Sequence, residues 1–226
     1  MATPGELVKC VAEALGIPEP TVVLYDRVLA ENGLRSKGGR GTSAAKVTAA
    51  DAANLLIAIV GSPVSGSPIK SAVATCKTYG RLPMRLGGDE ENLGKCEYFG
   101  FPTLANLPPP HTLQNALAAL ILGAAKGEEL VIPNDEDEND PLVGPSNDWF
   151  TAVTLNGPGP WAEIMADVSL GEGRYEQRAR FVYHDNKKVS ANKRPKPTCS
   201  GDLHQSRYIS FKTIRRIGDL LARDAK

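Results

Sequence analysis

The chain has 226 residues, of which 42% are hydrophobic and 23% are charged, and its formal net charge is zero. These values are typical of globular proteins and exclude a low-complexity or fibrous chain. The N-terminus lacks the apolar core of a secretory signal and no apolar run reaches the length of a membrane span, which predicts a cytoplasmic protein without a membrane partner.

Cysteine spacing and charge distribution add two further expectations. The four cysteines match no zinc or redox spacing, so we expect free thiols, with a Cys76–Cys96 disulfide as the alternative. Residues 126–140 contain seven acidic residues and one basic residue, whereas residues 174–226 contain fourteen basic and five acidic residues. A chain with zero net charge can therefore still present a face that attracts polyanions.

Three helices are predicted within the first 60 residues. Apolar residues recur at helical spacing over residues 6–15 and 20–32, and Gly16 and Gly33 stand where these helices should end. A third helix is expected to begin at Thr48, because its hydroxyl and the Asp51 carboxylate fit a capping box. The short turn between the first two helices indicates a helix-turn-helix, in which the third helix completes the core.

A basic loop is predicted between the second and third helices. Residues 34–46 carry four basic side chains, no acidic one, and glycines at positions 38, 39 and 41. Each glycine costs a helix about 1 kcal/mol relative to alanine, so this stretch is expected to be a loop that resembles a wing. Its cations could meet phosphates, and Arg40 could enter a minor groove. The alternative is a solvated loop without a ligand.

The rest of the chain predicts a mixed α and β region. Helices are expected over residues 69–79, 112–126 and 210–223, and the helix over 112–126 has an apolar face broad enough to be buried in a core or a subunit contact. Strands are expected over residues 150–156, 161–168 and 178–183, forming a small antiparallel meander. The acidic segment 134–140 is interpreted as a linker or solvated loop.

These elements predict an α+β fold with a separate N-terminal domain. We expect a helix-turn-helix DNA-binding domain over residues 1–62, an irregular linker region with a short helix over 63–110, and an α+β oligomerisation or effector domain over 111–226. In the first domain the second helix would lie in the major groove. The candidate DNA-binding residues are Thr21, Leu24, Arg27, Arg35, Lys37, Gly38, Gly39, Arg40 and Lys46. The alternative is a three-helix scaffold without DNA.

Nothing in the sequence indicates catalysis. The three histidines, His111, His184 and His204, are widely separated and lack a nucleophile or carboxylate at a recognised spacing. Nucleophile-elbow, dinucleotide and zinc-protease motifs are missing from the sequence, and the acidic segment lacks the ligand order of a calcium loop. We therefore expect no enzyme activity, no cofactor and no metal. The basic run from Lys187 to Lys196 is interpreted as a nucleic-acid clamp or a solvated loop.

Residues 6–60 resemble a group of phage proteins. The resemblance rests on Tyr25-Asp26-Arg27, Gly33-Leu34, the run from Lys37 to Gly41 and the run from Thr48 to Leu56. Through these motifs the block is similar to uncharacterised helix-turn-helix proteins encoded by bacterial phages and prophages. The resemblance covers about a quarter of the chain. It implies DNA binding, a mobile-element context and a location in the bacterial host cytoplasm.

The functional expectation is a phage-type transcriptional regulator that binds double-stranded DNA as a homo-oligomer, with a dimer favoured. One alternative is a small terminase subunit, which recognises viral DNA for packaging and assembles as a ring. Another is a phage structural or assembly protein that makes only protein contacts. Binding to duplex DNA would distinguish the regulator and the terminase subunit from the structural protein. The mass in solution would distinguish a dimeric regulator from a ring-forming terminase subunit.

Overall fold

A computed structural model describes residues 2–37, 46–63, 67–84, 101–128, 131–132, 142–143, 149–169, 175–185 and 204–223. The described residues form an α+β fold with seven helices and two antiparallel sheets. The helices are α1 (Pro4–Leu15), α2 (Glu19–Glu31), α3 (Ala49–Val60), α4 (Pro68–Gly80), α5 (Pro102–Ala105), α6 (Leu113–Ala125) and α7 (Phe211–Ala222). The strands are β1 (Val131–Ile132), β2 (Leu142–Val143), β3 (Trp149–Gly157), β4 (Trp161–Ser169), β5 (Tyr175–His184) and β6 (Gln205–Ser210).

Local capping explains where several helices begin. Thr3 with Glu6, Thr48 with Asp51 and Thr112 with Asn115 each form a capping box at the start of α1, α3 and α6. Such a box satisfies two backbone N–H groups that a helix start leaves unpaired. Gly16 ends α1 in the left-handed conformation, with φ of 65°. The prediction of the capping box at Thr48 is confirmed.

The larger sheet has four strands in the order β5-β4-β3-β6. The strands β3, β4 and β5 form the predicted antiparallel meander. The sequence did not predict β6, which directly precedes α7 and pairs with β3 at the opposite edge from β5. One face of this sheet contributes to the same core as the helices, through Val153, Leu155, Ala162, Ile164, Phe181, Tyr183 and Ile209.

Helix α3 lies at the centre of that core. Every residue from Asp51 to Val60 is buried, and α3 packs against α2, α4, α6, α7 and β6. Helix α7 in turn packs on α1 and α6, so elements from both ends of the chain meet. One continuous cluster of buried apolar residues crosses the predicted boundaries at residues 62 and 110. These boundaries therefore do not separate independent cores.

The apolar faces of α6 and α7 cover each other within one chain. Leu117, Leu120 and Ile121 of α6 and Ile214 and Ile217 of α7 are all fully buried. The sequence allowed two environments for the apolar face of residues 112–126, a core or a subunit contact, and the structure shows this face in the core.

We predict that Gly218 sets the spacing between α6 and α7. A Cβ atom at Gly218 would lie 2.7 Å from Ala124 Cβ and 2.8 Å from the backbone nitrogen of Ala125. Because backbone atoms cannot rotate away, Gly218→Ala should lower the free energy of unfolding by about 1 to 3 kcal/mol despite its better helix propensity. Urea unfolding would measure the change.

Gly80→Ala is the matched control for that substitution. Gly80 is also helical and buried, but its added Cβ would meet Gln114 Cβ at an ordinary 3.6 Å. It should therefore leave stability unchanged or raise it by up to about 1 kcal/mol. Equal stability of both variants would show that the two helices can separate at little cost.

Candidate nucleic-acid interface

Helices α1 and α2 are joined by a three-residue turn. Gly16 donates its N–H to Ala12 O, and Ile17 donates to the same carbonyl at 3.0 Å. Pro18 then precedes α2, where Pro20 occupies the first turn. A glycine in the left-handed conformation reverses the chain without strain and a proline suits a helix start. The two helices thus pack against each other through a short turn, as the sequence predicted.

The outer face of α2 exposes a mixture of apolar and charged side chains. Leu24 is 48% exposed and Val23, which the sequence analysis did not select, is 45% exposed. The Arg27 side chain is 73% exposed, and its Nε donates to Glu31 Oε1 at 2.8 Å one turn later. Thr21 is half-buried. The predicted contact residues Leu24 and Arg27 are therefore accessible together.

Asp26 of α2 is a buried carboxylate and does not lie on that outer face. Its Oδ1 lies 2.8 Å from Arg35 Nε, and the two side chains are only 11% and 15% exposed. The two atoms form an ion pair without the alignment of a hydrogen bond. Burial raises the pKa of Asp26, the Arg35 charge opposes that rise, and the Asp51 charge adds to it. Arg35 folds back onto α2 and covers this carboxylate.

Asp51 connects the two ends of the basic loop. Its Oδ1 accepts the Ser36 N–H at 2.7 Å on the outgoing side, and its Oδ2 accepts the Thr48 N–H at 2.8 Å on the returning side. Asn54, one turn further along α3, donates its Nδ2 to Leu34 O at 2.8 Å. Both side chains are buried. Helix α3 therefore holds both ends of the loop from beneath.

The described ends of the loop present two lysines to solvent. Lys37 and Lys46 are both exposed. Next to Lys46, Val47 donates its N–H to Ala2 O at 3.0 Å, which fixes the returning end beside the start of α1. The candidate residues Gly38, Gly39 and Arg40 lie outside the described residues. Of the predicted set, the structure brings Leu24, Arg27, Lys37 and Lys46 to the surface and pairs Arg35 internally.

Sequence reasoning missed the buried polar residues that organise this region. Asp26, Asp51 and Asn54 are each 5 to 8% exposed. The capping box predicted the bond between Asp51 and Thr48, but no local pattern indicates that Asp51 also binds Ser36, fifteen positions earlier. Buried polar groups normally have partners, so an aspartate and an asparagine within an otherwise apolar helix were the available signal.

His111 is buried, and its Nδ1 lies 3.4 Å from Tyr183 Oη. Burial lowers the pKa of His111, and a backbone hydrogen bond at Thr112 partly opposes this lowering.

Across the part of the chain that the structure describes, no three His, Cys, Asp or Glu side chains are grouped to hold a metal. In the same part, no helix is both long and apolar enough to cross a membrane.

Comparison of the chain with protein-family models, with curated proteins and with solved structures found no match.

Proposed function

We propose that the α1–α3 region binds double-stranded DNA and that the protein acts as a phage-type transcriptional regulator. The observation that carries the proposal is the attachment of both ends of the basic loop to α3 through Asp51 and Asn54. A loop held at its base presents cations at a defined position, which reduces the ordering cost of binding. The ends of this loop carry the exposed Lys37 and Lys46.

The electrostatics of the loop support contact with phosphates. Between residues 34 and 46 the sequence has no acidic residue, and its glycines permit close approach of the backbone to a duplex. Contacts of this kind position a protein on DNA without reading its sequence. Because Arg35 is paired with Asp26, we assign it to the support of the loop and leave phosphate contacts to Lys37, Arg40 and Lys46.

Helix α2 would then supply the base contacts. Its exposed Leu24 and Val23 suit the methyl groups of thymine, because apolar side chains read thymine in the major groove. Arg27 would have to exchange its bond with Glu31 for a base or a phosphate. In this proposal most of the affinity comes from the loop and most of the sequence preference from α2.

The direct test is the salt dependence of DNA binding. Replacing Lys37, Arg40 and Lys46 by alanine removes up to three phosphate contacts, so the slope of log affinity against log salt should decrease by about 2 to 3. Titration of a labelled duplex at several salt concentrations would measure it.

A triple variant on another helix controls for net charge. Lys70, Lys77 and Arg81 lie in or next to α4 and are all exposed. Replacing these three by alanine changes the net charge by the same amount and should leave the slope nearly unchanged. An equal decrease in both variants would remove the loop from the interface and indicate a diffuse charge effect.

The exposed apolar pair on α2 also favours a second candidate, a phage assembly protein. Val23 and Leu24 are nearly half exposed, and apolar side chains on the solvent face of a helix suit a protein partner as well as DNA. Full-length protein that binds no duplex at low salt would favour this function. If it does bind, light scattering separates a dimeric regulator from a ring-forming small terminase subunit.

A further inference from the structure

Four side chains form one row across the end of the larger sheet. The strand register pairs His184 of β5 with Trp161 of β4, Trp161 with Asn156 of β3, and Asn156 with Ser206 of β6. Directly paired residues lie on the same face of a sheet, with Cβ atoms about 5 Å apart. The row therefore places an imidazole, an indole, an amide and a hydroxyl side by side.

This row lines a pocket of about 620 Å³. The other residues around the pocket come from the turn between β3 and β4 and from the segments that flank the row, and they include Asp185, His204 and Gln205. A volume of this size is within the range of small-molecule sites. The walls combine one large aromatic ring with groups that donate and groups that accept hydrogen bonds.

The helical layer holds the floor of this pocket in place. Tyr79 of α4 donates its hydroxyl to Asn156 O at 2.7 Å, and Gln205 donates its Nε2 to Ser62 O at 3.0 Å. A Cβ at Gly157 would lie 3.1 Å from Tyr79 Oη, so the turn sits directly on that tyrosine. Contacts from α4 and from Ser62, just after α3, thus fix β3 and β6 where they line the pocket.

Asn156 adds a buried polar group without a partner to the wall of the pocket. Its Nδ2 is buried and, within the described part of the chain, has no hydrogen-bond partner. A buried donor without a partner costs about 1 to 3 kcal/mol. Because the Nδ2 atom is buried in this conformation, the Asn156 amide would have to rotate toward the pocket to meet an acceptor on a ligand, and that contact would recover the cost.

We propose that this pocket binds a nucleobase, as part of a free nucleotide or of a single DNA strand. The base would stack on the Trp161 ring, because every base has a π face that an aromatic side chain can contact. Its edge, which carries both donors and acceptors, would meet Asn156, Ser206 and the imidazoles of His184 and His204. A purely apolar ring could not exchange hydrogen bonds with these polar groups, and a metal is disfavoured because the described His and Asp side chains do not group around one point.

Trp161 provides the readout. The sequence has two tryptophans, so Trp149→Phe in the full chain leaves Trp161 as the only indole fluorophore. We expect AMP, GMP, CMP or TMP, or a ten-nucleotide oligothymidine, to quench its emission along a saturable curve. Saturation by a monophosphate indicates a free nucleotide, and saturation by the oligonucleotide alone indicates a base within a strand.

Substitutions within that background locate the site. His184 and His204 are exposed, so replacing both by alanine should preserve the fold, which far-ultraviolet circular dichroism checks, and should weaken binding by about tenfold. Tyr208→Ala is the control, because Tyr208 is 62% exposed on β6 and does not line the pocket. It should leave affinity unchanged. No saturable quenching by any of the five ligands, or equal affinity of the double histidine variant, would overturn the proposal.

Discussion

A fragment that ends at Val60 is expected to be unfolded in isolation. All ten residues from Asp51 to Val60 are buried in the full chain, and four of the elements that cover α3, namely α4, α6, α7 and β6, come after residue 60. Fully burying one leucine or isoleucine stabilises a fold by about 1.5 to 3 kcal/mol. Exposing only a few such residues therefore removes most of the 5 to 15 kcal/mol that typically stabilises a domain.

Circular dichroism during thermal melting measures this directly. The full chain should melt cooperatively, whereas the fragment should show little helix and no transition. A fragment with a cooperative melt would instead restore residues 1–62 as an independent domain. The result also determines how DNA binding is tested, because the proposed interface depends on α3 and must then be studied in the whole chain.

Most helices of this fold could be predicted from the sequence because they depend on local residue patterns. Apolar spacing and capping residues predicted α1, α2, α3, α4, α6 and α7 to within one or two residues of their observed ends. Gly16 and Gly33 both adopt positive φ, as expected for residues that follow helices. Such signals depend on neighbours within a few positions, which a single sequence displays in full.

Features that depend on pairing between distant parts of the chain could not be predicted from the sequence. Strand β6 is short, and its burial pattern shows only Ile209 fully covered, so nothing local separates it from a loop before α7. It forms a strand because it pairs with the edge of β3, about fifty positions earlier in the chain. The core also depends on distant contacts, since α7 packs against α1 from the other end of the chain.

The candidate interface likewise combines features that local spacing predicts with a contact that depends on distant residues. The exposure of Leu24 and Arg27 follows from the helical period, and the sequence predicted both. The burial of Asp26 follows the same period, because Asp26 lies four positions after Val22 and three before Leu29, but its ion pair with Arg35 from the loop does not. The internal pairing of Arg35 therefore could not be read from the charge pattern that made it a phosphate candidate.

Replacing Asp51 by alanine should lower the free energy of unfolding by about 2 to 4 kcal/mol, because it removes a helix cap and a charged hydrogen bond together. The carboxylate accepts bonds from Ser36 N–H, Thr48 N–H and Thr48 Oγ1, at 2.7, 2.8 and 2.9 Å. In the alanine variant the α3 cap weakens and the outgoing end of the loop loses its attachment. Urea unfolding of the full chain measures the cost.

Asn115→Ala separates the two contributions. Asn115 caps α6 in the same geometry, accepting bonds from Thr112 N–H and Thr112 Oγ1 at 3.2 and 2.8 Å, but among the described residues it makes no bond to a distant loop. Its loss should cost only about 0.5 to 2 kcal/mol. The excess cost of Asp51→Ala then measures what the Ser36 bond contributes.

If the loop binds DNA, only Asp51→Ala should also weaken duplex binding under conditions where both variants are folded. Equal costs and equal affinities would mean that Asp51 is an ordinary cap and that the loop is not held for binding.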